Sequence, residues 1–241
     1  MTGSGSVGSQ NYSGSAQSIT LGTLSLANGT NGGLASNYAL SGSSLTINQR
    51  PLNIDGSKIY DGNTNAANSI LTTSNFATDS TTGNPETLGL SGTATISSKN
   101  AGSRTITNAA SALTLSNGSN GGLANNYTFT GGTHNFTVNT RPLNVSGTKQ
   151  YDGTTVASSS DLSTLSNFVG SETVTISGNG SVNSVNVASN YSVNTSGLSL
   201  VNGSNGGLAS NYNLTGGTYT LDITKRNLSL DGTRVYDCLL Y

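Results

Sequence analysis

The chain repeats itself, and the length of the period restricts the folds open to it. Asn-Gly-Gly-Leu-Ala begins at Asn31, Asn120 and Asn205, and an Asn-Tyr pair follows each copy, ending at Tyr38, Tyr127 and Tyr212. Arg50-Pro51-Leu52-Asn53 returns as Arg141-Pro142-Leu143-Asn144, and Tyr60-Asp61-Gly62 returns 91 residues later as Tyr151-Asp152-Gly153. A third, altered passage runs from Arg226 to Tyr236-Asp237, with Tyr236 lying 85 residues after Tyr151. Such a period is the size of a small domain, whereas a continuous parallel β-helix would repeat every ~20 to 30 residues. The chain divides into the C-terminal half of a repeat (1–48), two complete repeats (49–139 and 140–224) and the truncated start of another (225–241).

Inside each period the pattern is that of strands. Leu52 and Ile54, Leu143 and Val145, and Leu228 and Leu230 alternate with polar neighbours, as one buried sheet face requires. Further alternating stretches lie at 93–96, 105–107, 113–115, 128–130 and 133–138, and at 173–176, 198–200 and 213–215. Gly, Ser, Thr and Asn occupy 136 of the 241 positions and there is no Trp, so the apolar side chains suffice only for small cores. The fold class predicted is all-β: tandem small antiparallel β-sandwiches, Ig-like, arranged as beads on a string.

Turn chemistry refines this reading. Asp55-Gly56, Ser146-Gly147 and Asp231-Gly232 read as tight turns. The stretches from Tyr127 to Val138 and from Tyr212 to Ile223 read as hairpins with tips at Gly131-Gly132 and Gly216-Gly217, two residues longer than the stretch from Tyr38 to Ile47. The distance from Tyr60 to Glu86 exceeds that from Tyr151 to Glu172 by five residues, a difference expected to sit in a loop. Leu34, Leu123 and Leu208 are expected to plug the sandwich ends.

Charge works by exclusion. Nine basic residues against ten acidic ones, net −1, offer no stripe for a phosphate backbone, so nucleic acid is not an expected partner. No apolar run is long enough to insert in a membrane as a helix. Cys238 is the only cysteine, so no internal disulfide is expected. The opening residues have no signal-peptide pattern, and the register of the repeats reads as a segment of a longer polypeptide, the rest of which would be its covalent neighbour.

Lys149-Gln150-Tyr151-Asp152-Gly153-Thr154-Thr155, its second copy Lys58-Ile59-Tyr60-Asp61-Gly62-Asn63-Thr64, and the Asn126-Tyr127 pair with Val138 resemble the YDG-type repeats of large bacterial exoproteins, the filamentous-haemagglutinin-like adhesins. The resemblance implies an extracellular, cell-surface location and a repetitive stalk or adhesive region. It brings no catalytic residues and no cofactor.

Candidate sites follow from the repeat. In the triplets Tyr60, Asp61, Gly62 and Tyr151, Asp152, Gly153, the tyrosine is expected to pack over a thin core and Asp-Gly to close an Asx-type turn. Ligand contacts, if these are lectin-like glycan-binding modules acting by multivalency, are expected around Tyr219, Gly206 and Gly207. The partners would then be host-cell or matrix glycans or proteins, met by a monomeric chain. The acidic residues are too scattered for an oxygen shell, so no metal is expected. His134, the only histidine, reads as an exposed hairpin residue, which leaves no base for a Ser nucleophile. No enzyme is expected.

Overall fold

The computed structural model describes residues 1–235; Tyr236, Asp237 and Cys238 lie outside the described residues. Two compact units emerge among the described residues, Met1–Ser57 with Thr64–Ser98 and Ser103–Thr137, and Lys58–Asn63 with Lys99–Gly102 and 138–235. The architecture is all-β. The longest helix among the described residues is the single turn Ala109–Ala112.

The second unit shows the plan most fully. A four-stranded sheet runs in the order Thr164–Ser166, Asn144–Gln150, Tyr219–Thr224, Ala188–Ser192. A three-stranded sheet runs Val156–Ser158, Val174–Ser181, Leu198–Asn202. Val145, Leu221 and Ile223 from the first sheet pack with Ala157 and Leu198 from the second, and Leu162, Val182 and Val193 complete the buried cluster. The period-2 alternation of Leu143 and Val145 places both side chains inside.

The first unit repeats the plan, with Leu52, Ile54, Ala66, Leu71, Ile106 and Phe136 all buried. Its three-stranded sheet is Asn65–Ala67, Leu88–Thr95, Leu113–Asn117. Ahead of it the chain makes sparse pairings, Gln17–Ser18 against Ser44–Leu45 and single bridges from Thr2 to Ser25 and from Ser6 to Thr20.

Three turn expectations are corrected. Asp55-Gly56 and Ser146-Gly147 do not turn; they sit inside the strands Asn53–Ile59 and Asn144–Gln150. Glycine is needed there for close approach, since a Cβ on Gly147 would lie 1.9 Å from the carbonyl oxygen of Asp161 and one on Gly56 2.7 Å from that of Ile70. Asp231-Gly232 lies in an exposed segment without regular structure.

The supposed hairpins are single strand paths with an excursion. Tyr212 pairs with Arg141, and seven residues later Tyr219 pairs with Val145, only four beyond Arg141, both in parallel. Leu214 to Thr218 leave the strand path while Leu214 stays packed against the buried cluster, and glycine is needed at Gly217 because a Cβ there would meet the Leu143 carbonyl oxygen at 1.9 Å. The sandwich is therefore antiparallel except along this seam. Parallel pairing satisfies the same backbone groups as a hairpin would, and sequence alternation does not distinguish the two.

Leu123 and Leu34 do not plug the sandwich; they are 37% and 49% exposed. The five extra residues of the first copy do lie in a loop, closed by the bridge from Thr78 to Pro85 and by the N–H of Asp79 donating to Asn84 O at 2.8 Å. In the second copy the same link is one tight turn, with the Glu172 N–H donating to Val169 O at 3.1 Å.

Candidate functional site

The most elaborate polar arrangement in the second unit centres on Glu172. This carboxylate is 7% exposed, a costly location unless its oxygens are bonded. Tyr60 donates its hydroxyl to Oε1 at 2.7 Å and Tyr212 donates to Oε2 at 2.7 Å. The two rings meet edge to face with centroids 5.6 Å apart, and Phe168 meets Tyr212 in the same manner at 5.8 Å, the geometry favoured by the ring quadrupoles. Lys99 Nζ stands 3.8 Å from Oε1.

The backbone fixes each partner. Tyr60 is fully buried and its N–H donates to Asn139 O at 2.8 Å. Tyr212 follows the 3₁₀ turn Ala209–Asn211, and its hydroxyl accepts the Val169 N–H at 3.1 Å. Buried Asn211 accepts the Ala101 N–H on Oδ1 at 2.9 Å and donates to Asn100 Oδ1 at 3.1 Å. Burial and the neighbouring Glu172 carboxylate push the Tyr212 phenol up to about 12, and the same causes push Tyr60 up as well. Both hydroxyls therefore stay protonated donors across the physiological range. With both carboxylate oxygens engaged by phenols, the arrangement works as a clamp.

The first unit carries the counterpart residues. Tyr127 donates to Glu86 Oε2 at 2.5 Å and accepts the Ala77 N–H at 3.0 Å. Phe76 meets the Tyr127 ring at 5.8 Å. Asn126 accepts the Tyr12 N–H at 2.9 Å and donates to Asn11 Oδ1 at 2.9 Å. Burial and Glu86 raise the Tyr127 phenol above its ordinary value.

A second device holds the Arg-Pro segments. Arg141 Nε donates to Asn167 O at 2.7 Å and its Nη2 to Asn167 Oδ1 at 2.7 Å, while Asn167 Nδ2 donates to Pro142 O at 2.8 Å. Arg50, Asn75 and Pro51 repeat the pattern. Asn75 and Asn167 hold φ values of 74° and 75°, which asparagine tolerates better than most residues.

The predicted residues take these places. Asp61 Oδ1 accepts the Asn63 N–H at 3.1 Å and Asp152 Oδ1 the Thr154 N–H at 2.9 Å, both Asx turns, followed by Gly62 and Gly153 at φ 79° and 77°. Lys149, 5% exposed, fills the Asp152 turn, with its ammonium donating to Asp152 Oδ1 at 3.1 Å, Thr154 O at 2.8 Å and Val156 O at 2.7 Å. The Thr154 amide and Lys149 hold the Asp152 carboxyl down to about 2. Tyr151 is 40% exposed.

Gly206 sits with Asn205 in a turn where both φ angles are positive, closed by the Gly207 N–H donating to Ser204 O at 3.0 Å, and Gly207 packs against the Thr173 carbonyl. Tyr219 packs against the buried cluster and its hydroxyl accepts the Gly217 N–H at 3.0 Å. These three do not converge on one cavity lining, since Gly207 borders Thr173, Gly206 has open space around it and Tyr219 borders Gly217. His134 is half-buried rather than exposed: its ring lies edge-on to Phe129 at 6.3 Å, and its buried Nε2 has no hydrogen-bond partner among the described residues.

Among the described residues no group of three or more His, Cys, Asp or Glu could hold a metal ion, and no helix is long and apolar enough to cross a membrane. The Glu-centred clamp escapes motif reading because its partners lie 112 and 40 positions from Glu172. One signal was available: Glu86 and Glu172 are the only glutamates in the chain, at matching places in the repeat.

A search of curated proteins and of solved structures finds no match. The family model described as YDG domain matches residues 45–134 and again 137–220. These matches span most of the chain, bracket both glutamate clamps and contain both Tyr-Asp-Gly triplets, so the chain belongs to the YDG-domain family, with two copies in tandem.

Proposed function

We propose that this chain is a non-catalytic structural and adhesive repeat segment of a secreted bacterial surface adhesin, acting as a semi-rigid stalk on the outside of the cell. The observation that carries the reading is the recurrence, in tandem YDG domains, of the same internal devices: the carboxylate–phenol pair, the Arg–Asn clamp and the Asx turn. The Arg–Asn clamp and the Asx turn consume their polar groups within the repeat. A repeated unit that spends its most elaborate chemistry on holding itself together suits a spacer, and a surface of Ser, Thr and Asn suits exposure to water. The resemblance to filamentous-haemagglutinin-like exoproteins supports the location.

The test is adhesion of beads coated with the full chain to a glycan panel and to epithelial cells. A spacer gives no saturable retention while circular dichroism and urea unfolding show folded protein. Saturable retention lost in Tyr219→Ala would replace the stalk with a multivalent lectin-like module.

A further inference from the structure

The two glutamate clamps differ in one respect. Glu172 receives two phenols, whereas Glu86 receives only that of Tyr127, and among the described residues no hydrogen bond reaches Glu86 Oε1. Beside Glu86 lies a cavity of about 290 Å³, bordered by Asn48, Arg50, Asn126 and Tyr127.

These wall residues are the repeat counterparts of the groups that hold Tyr60 in the second unit. Glu86 corresponds to Glu172, the acceptor of the Tyr60 hydroxyl. Tyr127 corresponds to Tyr212, whose ring packs edge to face on Tyr60. Asn48 corresponds to Asn139, whose carbonyl accepts the Tyr60 N–H, and Arg50 corresponds to Arg141, whose Nη1 reaches Tyr60 O at 3.5 Å. Ring-stacking surface, hydroxyl acceptor and backbone dock thus recur around the cavity, which is small for a ligand pocket and suited to one aromatic side chain.

We propose that the Glu86–Tyr127 cavity is a socket for the tyrosine of a Tyr-Asp-Gly segment from another YDG repeat. The incoming hydroxyl donates to Glu86 Oε1, its ring lies edge-on to Tyr127, and its N–H bonds the Asn48 carbonyl. The chain also shows such a segment in presentable form: Tyr151 is 40% exposed, its N–H donates to Thr224 O at 2.9 Å as that of Tyr60 does to Asn139 O, and its turn is set by Asp152 and Lys149. The clamp is then a mode of repeat-to-repeat recognition, independent of whether the parent protein adheres to anything.

The probe is a fluorescein-labelled peptide of residues 147–156, titrated with the full chain and followed by anisotropy. The expected result is saturable binding of one peptide per chain. Binding should be weaker by about tenfold or more for the peptide carrying Tyr151→Ala and for a chain carrying Glu86→Gln, as loss of a hydrogen bond to a charged acceptor requires. If Glu86→Gln does not fold, the two peptides alone decide. Equal binding of both peptides, no binding at millimolar chain, or unchanged affinity in folded Glu86→Gln would overturn the proposal.

Discussion

Tyr60 and Glu172, 112 positions apart in the chain, share a buried 2.7 Å hydrogen bond. Its partners are a carboxylate that could not be left bare inside the protein and a phenol with no water to turn to. Tyr60→Phe should therefore lower stability by about 2 kcal/mol, the worth of a buried hydrogen bond to a charged group. Urea unfolding followed by circular dichroism measures it, and a change under ~0.5 kcal/mol, the range of ordinary surface substitutions, would show that the bond carries no net weight.

The same pair sets an alkaline limit. An unfolded tyrosine loses its proton near pH 10, whereas Tyr212 in the folded chain holds its proton up to about 12 and Tyr60 is shifted in the same direction. Between those values the unfolded state binds fewer protons than the folded one, so stability is complete below pH 10 and falls as pH rises towards 12. Thermal melts from pH 8 to 12 should show this decline, with a shallower slope in Tyr60→Phe. Parallel slopes in the two proteins would contradict the assignment.

Two glycines separate crowding from backbone freedom. At Gly147 a Cβ would strike the Asp161 carbonyl oxygen at 1.9 Å, whereas Gly206 has open space around it and a φ of 84°. Gly147→Ala should cost about 3 kcal/mol or prevent folding, and Gly206→Ala about 1 kcal/mol. Denaturation midpoints of the two variants would rank them, and the reverse order would refute the distinction.

Lys149 is the buried charge of the Tyr-Asp-Gly turn. Lys149→Met keeps the stem but strips the Thr154 and Val156 carbonyls and Asp152 of their shared donor. A loss of about 3 kcal/mol is expected, since removing one partner leaves the others unsatisfied. Amide hydrogen exchange should place the weakening at residues 151–156, and unchanged protection there would count against the role given to Lys149.

Much of this was legible in the sequence. The alternation of Leu143 and Val145 marked a buried face, and Asp-Gly after tyrosine marked the Asx turn that Asp61 and Asp152 make. The strands Asn65–Ala67 and Val156–Ser158 escaped because the residue each buries is an alanine, Ala66 or Ala157, too small to mark an apolar face. Gly56 and Gly147 misled because glycine marks both turns and crowded strands, and only a neighbouring carbonyl distinguishes the two. The partnership of Glu172 with Tyr60 depends on which segments meet in space. No local spacing encodes that.

The seam between Asn144–Gln150 and Tyr219–Thr224 has a mechanical consequence. These strands pair in parallel over six residue pairs, from Val145 opposite Tyr219 to Gln150 opposite Thr224. Tension applied between Asn144 and Thr224 would draw the strands past one another lengthwise, loading their hydrogen bonds together in shear. An antiparallel pair held by its two free ends would instead unzip one bond at a time. A unit joined this way can yield slowly under pulling even where its equilibrium stability is modest.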